Sequence, residues 1–226
     1  MKTKMLLVAG LLILIGYSAK AQEEGVSFGI RAGFNMQNFN GKDPAGDKLE
    51  LNLVPRFHAG VVVEIPIAPE FYFQPGLLYT TKGAKSDEFL GTASAEFNLS
   101  YLELPLSFVY KPQLGDGYFF LGFGPYVSYG IGGKAKFNIA NVSFESNIEF
   151  ENDYEIEDPP PQDRKYFKPL DFGGNIFFGY ELKNGISLQL NAQLGLAKIN
   201  SDNTAVPALD PEFRNTGFGL SLGYNF

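Results

Sequence analysis

With 226 residues, 22 Phe, 12 Tyr, 26 Gly and neither Cys nor Trp, the chain has the material of one β-rich domain and none for disulfides, iron–sulfur clusters or cysteine-ligated zinc. Its formal charge is −7; without Lys2, Lys4 and Lys20 the 18 basic residues fall to 15 against 25 acidic ones, about −10 for the exported chain. That balance excludes nucleic acid as a partner, because neutralising phosphates needs clustered Lys and Arg.

Residues 1–21 read as a cleaved signal peptide. Lys2 and Lys4 precede an apolar run at residues 5–16, and Ala19-Lys20-Ala21 is a small-residue cleavage site. The run is too short for a transmembrane helix, which needs roughly 20 apolar residues. No Cys follows to carry a lipid anchor. Residues 22–226 are expected to form a single domain.

Eight segments then alternate with a period of two, the mark of strands with one apolar face. The first, 26–34, sets Val26, Phe28, Ile30, Ala32 and Phe34 against Ser27, Gly29, Arg31 and Gly33. The second, 56–67, opposes Phe57, Ala59, Val61, Val63 and Ile65 to Arg56, His58, Gly60 and Glu64. The third, 71–82, places Phe71, Phe73, Leu77 and Tyr79 opposite Gln74, Gly76 and Thr80. The fourth, 99–110, has Leu102, Leu104, Leu106, Phe108 and Tyr110 facing away from Tyr101, Glu103, Pro105 and Ser107.

In the fifth, 118–131, Phe119, Leu121, Phe123, Val127 and Tyr129 alternate with Gly122, Gly124, Tyr126 and Ser128. The sixth, 171–182, alternates Phe172, Ile176, Phe178 and Tyr180 with Gly173, Asn175, Gly179 and Glu181. The seventh, 186–197, is the most regular, with Ile186, Leu188, Leu190, Ala192, Leu194 and Leu196 against Ser187, Gln189, Asn191, Gln193 and Gly195. The eighth, 215–226, ends on Phe218, Leu220, Leu222, Tyr224 and Phe226 opposite Gly217, Gly219, Ser221, Gly223 and Asn225.

Short connections at 68–69, 111–117 and 183–185 alternate with long ones at 35–55, 83–98, 132–170 and 198–212. Asn184-Gly185 is a hairpin turn signal. The expected fold is all-β: an eight-stranded antiparallel up-and-down transmembrane β-barrel with short periplasmic turns and long extracellular loops. A soluble exported barrel with its apolar face turned inward onto a ligand is the alternative. Charge placement favours the membrane. None of the apolar-face positions is charged, whereas the opposite face carries Arg31, Arg56, Glu64, Glu103 and Glu181. A basic residue at a lipid-facing midplane position costs roughly 2–4 kcal/mol, so a lipid face is kept clear of it. Aromatic residues also cluster near strand ends, with Phe71, Tyr110, Phe119, Tyr180, Tyr224 and Phe226 at the short-turn rim. Phe34, Phe57, Tyr79, Tyr129, Phe172 and Phe218 occupy the other rim, as membrane–water girdles require.

Inward charges need partners. Arg31 is expected to pair with Glu103, Glu64 or Glu181 across the lumen, with Gln74, Gln189, Asn191 and Gln193 completing a structural network. A barrel of this strand number is filled by its own side chains, which argues against a diffusion pore. His58 is the lone histidine, and the neighbouring same-face positions Arg56 and Gly60 offer no serine, so it reads as a plain lumen or rim residue. No metal or cofactor site is expected. Segment 132–170 is acidic through Glu145, Glu149, Glu151, Asp153, Glu155, Glu157, Asp158 and Asp163, but lacks a calcium-loop pattern. Fragments of period two within it predict that the hairpin continues as strands beyond the membrane. It is the best candidate surface for a protein partner.

Short signatures stand in order along the strands: PGLLY at 75–79 followed by Lys82-Gly83, YLELPL at 101–106, Gly124-Pro125-Tyr126, and LGYNF at 222–226. Together they resemble the PorT-like outer-membrane β-barrel family of Bacteroidota. The resemblance implies a barrel in the outer-membrane lipid, inserted by the barrel-assembly machinery, with Tyr224 and Phe226 as the terminal aromatic assembly signal. It brings no catalytic residues. The expected role is non-enzymatic, structural or interacting, and accessory to protein secretion or envelope assembly. An outer-membrane lipid-modifying enzyme is the rival class.

Overall fold

Alternation becomes eight long strands: β1 (Ser27–Lys42), β2 (Val54–Ala68), β3 (Phe71–Phe89), β4 (Ala93–Tyr110), β5 (Gly117–Ile139), β6 (Leu170–Leu182), β7 (Ile186–Gly195) and β8 (Glu212–Asn225). The computed structural model describes residues 25–42, 46–89, 93–139, 142–154, 164–203 and 212–226. The signal-peptide expectation for residues 1–21 lies outside them.

Each strand pairs antiparallel with the next, and β8 pairs with both β7 and β1, so the eight form a closed ring. Ile30 stands opposite Tyr224 and Phe34 opposite Leu220 at the closure. A ring leaves no unpaired sheet edge, which is a requirement for crossing hydrocarbon with strands. The apolar parity points outward. Phe34 and Phe226 are 76% and 74% exposed, whereas Ser221, on the opposite parity of β8, is 1% exposed. At the short-turn rim the Phe71 and Tyr110 rings lie 4.9 Å apart, and at the other rim Phe57 and Tyr79 are 5.7 Å apart.

Several strands run well past the expected segments. β5 has 23 residues and β3 has 19, against the 9–11 that a tilted strand needs to cross a bilayer. Beyond the rim the outside of the wall is aqueous and its inside is packed, so the apolar face must turn inward. On β1 the inward parity changes from Asn35 and Gln37 to Phe39, while the outward positions become Asn38 and Asn40. On β5 the change is made by a register shift: Ser100 pairs with Gly132 and Tyr101 with Gly130, so Ile131 is the extra residue of a bulge. Its inward parity therefore moves from Tyr126 and Ser128 to Ala135 and Phe137, and Lys134 and Lys136 turn outward. A single period-two reading stops at 131 for this reason.

Segment 132–170, expected as a loop that keeps some strand character, is largely sheet where it is described. Residues Val142–Phe150 pair back on β5 from Ile139 opposite Val142 to Lys134 opposite Asn147. Arg164–Phe167 adds in parallel to that strand. Inside the extended wall Phe39, Leu99, Phe137, Ile148, Phe167 and Ile199 pack with three alanines and Tyr101 into an apolar cap. Phe39 is central, its ring 5.6 Å from Phe213, 6.1 Å from Phe97 and 6.2 Å from Phe167.

Candidate functional site: the barrel lumen

Inside the membrane-level wall the side chains are polar and organise into two ionic networks. Nearer the short turns, Lys111 lies 2.9 Å from Glu64 Oε2 and 2.8 Å from Glu181 Oε1. Gln74 Nε2 donates to Glu64 Oε1 at 2.9 Å, and Arg31 Nη2 donates to Gln74 Oε1 at 3.2 Å. Strands β1, β2, β3 and β6 are thereby joined to the turn between β4 and β5.

Toward the cap, the fully buried Lys82 lies 2.8 Å from Glu103 and 3.0 Å from Asp171. Both carboxylates are further saturated. Ser128 donates to Glu103 at 2.9 Å and Gln193 at 3.1 Å, while Asn215 donates to Asp171 at 2.9 Å. Lys82 Nζ also sits 4.1 Å from the centroid of the Tyr126 ring. A buried ion pair is weak evidence of net stability, but an unpaired buried charge is costly, so such a network fixes register.

A third constellation bridges the closing seam. Ser221 Oγ donates to Asn191 Oδ1 at 3.1 Å and therefore accepts from His58 Nε2 at 2.9 Å. The imidazole reaches β8 from β2 by lying over Gly33 of β1, where a Cβ would come within 2.7 Å of His58 Cε1 and 2.3 Å of the Leu220 carbonyl oxygen.

Of the lumen residues expected from sequence, Arg31, Glu64, Gln74 and Glu181 come together at one end, and Glu103 meets Gln193 at the other. Asn191 joins the seam, and Gln189 lines a cavity between the networks. Arg31 meets none of its three expected carboxylate partners directly: Gln74 stands between it and Glu64, and lysines take the carboxylates. Lys111 escaped the sequence reading because it falls in a turn, where side-chain direction is not given by parity; Lys82, the last residue of the third segment, has the inward parity of Gln74 and Thr80 and was passed over as a segment end. Ser221 escaped as a neighbour of His58 because only the register of three strands brings them together. Sequence spacing along one strand cannot show that.

The seam has the residue types of a nucleophile–base–orienter set, with Ser221 Oγ between His58 and Asn191. His58 and Ser221 are both buried, and the adjoining cavity is about 60 Å³, far below the roughly 300 Å³ of a small-molecule pocket. Among the described residues no cluster of His, Asp and Glu is arranged to hold a metal ion.

Beyond the membrane the ionisable groups pair at or near the surface. Hydrogen bonds from Lys134 and Lys136 hold the Glu145 carboxyl below its ordinary range. Asp202 is likewise held below its ordinary value by Lys168 at 2.6 Å and Lys198 at 2.7 Å.

Residues 20–201 match the family described as outer membrane protein beta-barrel domain. The chain belongs to that family. It is accordingly an outer-membrane protein, its outward apolar face is the lipid face, and the soluble ligand-binding alternative falls away. The match stops before β8, so the pairing of the closing strand with β1 and β7 is a finding of the structure.

Solved structures of similar fold include the attachment invasion locus protein Ail of Yersinia pestis, in complex with the heparin analogue sucrose octasulfate. It is 12% identical, with 90% of this chain and 100% of that chain covered, at a TM-score of 0.41. Neisserial surface protein A is 13% identical over 90% of this chain and 100% of that one, at 0.44. OprG from Pseudomonas aeruginosa is 11% identical over 90% and 97%, at 0.43. No curated protein matches the chain.

Proposed function

We propose that the chain is a non-enzymatic interaction protein of the outer membrane, accessory to protein secretion or envelope assembly, in which the barrel is a plugged anchor. The observation that carries this reading is the blocked lumen: two buried ionic networks in series, with the apolar cap around Phe39 above them. Such an interior is neither a conduit nor a reaction chamber. The sequence signatures shared with PorT-like proteins of Bacteroidota favour the secretion role over a purely structural one.

The contact surface is the extension formed by the end of β5 and residues Val142–Phe150, within segment 132–170. Val142 and Phe144 stand there 65% and 42% exposed in aqueous surroundings, where an anchor alone would have polar residues. The partner is a protein that buries them. Photo-cross-linking groups at Val142 and Phe144 test this in whole cells. A discrete protein adduct from these positions, absent from lipid-facing Leu190, is expected; adducts to lipid alone at all three positions would overturn the reading. The lipid-modifying enzyme remains the rival, and its one supporting feature is the His58–Ser221 pair.

A further inference from the structure

Registered pairs are missing from the wall at three places. They are Val63–Pro75 and Glu64–Gln74 between β2 and β3, Gly76–Pro105 and Leu77–Leu104 between β3 and β4, and Leu106–Pro125 and Ser107–Gly124 between β4 and β5. In each place the same register resumes on the far side, so no residue is inserted or lost. One absent N–H accounts for each gap. Alternate residues of an antiparallel ladder turn their N–H and C=O toward alternate neighbours. With Pro75 turned toward β2, Pro105 toward β3 and Pro125 toward β4, each proline removes the one bond that its own pair and the next pair share. The carbonyls of Val63, Gly76 and Leu106 are left without a backbone donor, which is costly at membrane level. The five other seams, from β5–β6 round to β1–β2, run without a gap.

This line of weakness lies between the two ionic networks. On its cap side Lys82, Glu103 and Asp171 bind β3, β4 and β6 together. On its short-turn side Lys111, Glu64 and Glu181 bind the β4–β5 turn to β2 and β6. Pro105 and Ser107 also line the cavity of about 60 Å³ inside the barrel, so the loosened wall backs onto free space. The three strands that carry the prolines are the longest in the barrel, β3, β4 and β5 with 19, 18 and 23 residues. Their far ends build the side of the extension that leads to Val142 and Phe144.

We infer that the proline line is a hinge. Two layers of the barrel, each cross-linked by its own ionic network, are joined by an intact wall on one side and a loosened wall on the other, and they rock against each other by local opening of β3, β4 and β5. The layer that carries the apolar cap and the extension tilts, while the layer held by Lys111 stays fixed. The hinge gives the surface around Val142 and Phe144 freedom to adjust to a partner. That use rests on the proposed function, whereas the hinge itself is tested with no partner present.

The test uses the full chain in lipid nanodiscs. Amide hydrogen exchange at Val63, Gly76 and Leu106 should be about tenfold or more faster than at Leu190 and Leu220 of the unbroken wall. Replacing all three prolines, Pro75→Val, Pro105→Val and Pro125→Val, restores the N–H groups and should abolish that difference. Spin labels at Leu102 of β4 and Leu222 of β8, on opposite sides of both the barrel and the line, should give a broad distance distribution that narrows in the triple variant. If the triple variant does not fold, Pro105→Val alone should slow exchange at Gly76 and leave Val63 fast. Equal exchange at all five amides, or exchange and label distances unchanged by restoring the N–H groups, would overturn the hinge. A hinge that behaves as expected in a protein whose Val142 and Phe144 give no protein adduct would count against the proposed partner alone.

Discussion

His58 of β2 and Ser221 of β8 share a 2.9 Å hydrogen bond that passes over Gly33 of β1 and ties together the three strands at which the chain closes on itself. The closing strand alternates glycine with apolar residues, and the seam explains part of that pattern. A Cβ at Gly217 would meet the Gln37 side chain at 2.6 Å, and one at Gly219 would meet Asn35 Oδ1 at 2.3 Å. Polar side chains of β1 lie flat across these glycines of β8, so the small face is a fitted surface.

Ser221→Ala should leave the His58 N–H unpaired in a buried site and destabilise the barrel by about 1–3 kcal/mol. Gly33→Ala should cost more, because backbone as well as imidazole must move. Urea titration of the protein folded in lipid vesicles reads both. A serine-directed fluorophosphonate should fail to label the folded protein; labelling that disappears in Ser221→Ala would establish the enzyme reading instead.

Lys82→Met should be among the most damaging single lumen changes. It strands Glu103 and Asp171 without their shared cation, and breaking a buried pair in this way costs roughly 3–5 kcal/mol. The triple variant Lys82→Met, Glu103→Gln, Asp171→Asn should recover much of that loss. Equal urea midpoints for the wild type and Lys82→Met would show that the network carries no weight.

Acid should loosen the segment around Asp202, beyond the membrane, before it touches the barrel. Asp202, held below its ordinary value of 3.8 by Lys168 and Lys198, contributes stability that is present above that value and lost as pH falls through its lowered folded-state value. Protease cleavage near residues 198–203 should therefore rise steeply below about pH 4 while the membrane-level strands stay protected. Asp202→Asn should be cleaved at pH 7 at about the rate the wild type reaches in acid.

Deleting Phe226 should impair insertion in cells far more than it lowers the stability of barrels already inserted. The side chain is largely exposed, and its ring stands 5.0 Å from that of Tyr224, so little packing is lost with it. Heat-modifiable gel mobility of newly made protein checks assembly, and urea unfolding of purified barrel checks stability. Normal assembly of the truncated chain would remove the terminal aromatic signal from the account.

Strand order and the facing of nearly every membrane-level residue were legible in the sequence, because lipid outside and a packed lumen inside impose one strict period of two. Legibility failed where that condition changes. β5 could not be followed past Ile131, since the bulge reverses its parity and the apolar face turns inward beyond the rim. Partners across the lumen were equally hidden. Lys111 comes from a turn, and Ser221 reaches His58 only through the registers of β1 with β2 and with β8. Three of the four short signatures proved to share a location: Pro75 stands opposite Leu106, Pro105 opposite Tyr126 and Pro125 opposite Gly174. Three residues without an N–H thus cluster on adjacent strands β3, β4 and β5. The registered pairs break off there, from Pro75–Leu106 to Leu78–Glu103 and from Pro105–Tyr126 to Phe108–Phe123.

The central claim is that this outer-membrane barrel is a plugged anchor, and single-channel recording of the refolded full chain in planar bilayers tests it most directly. With the Lys111 and Lys82 networks and the cap around Phe39 all in place, insertion should add no conductance steps at any applied voltage. Reproducible ohmic steps from the wild-type protein would contradict the account.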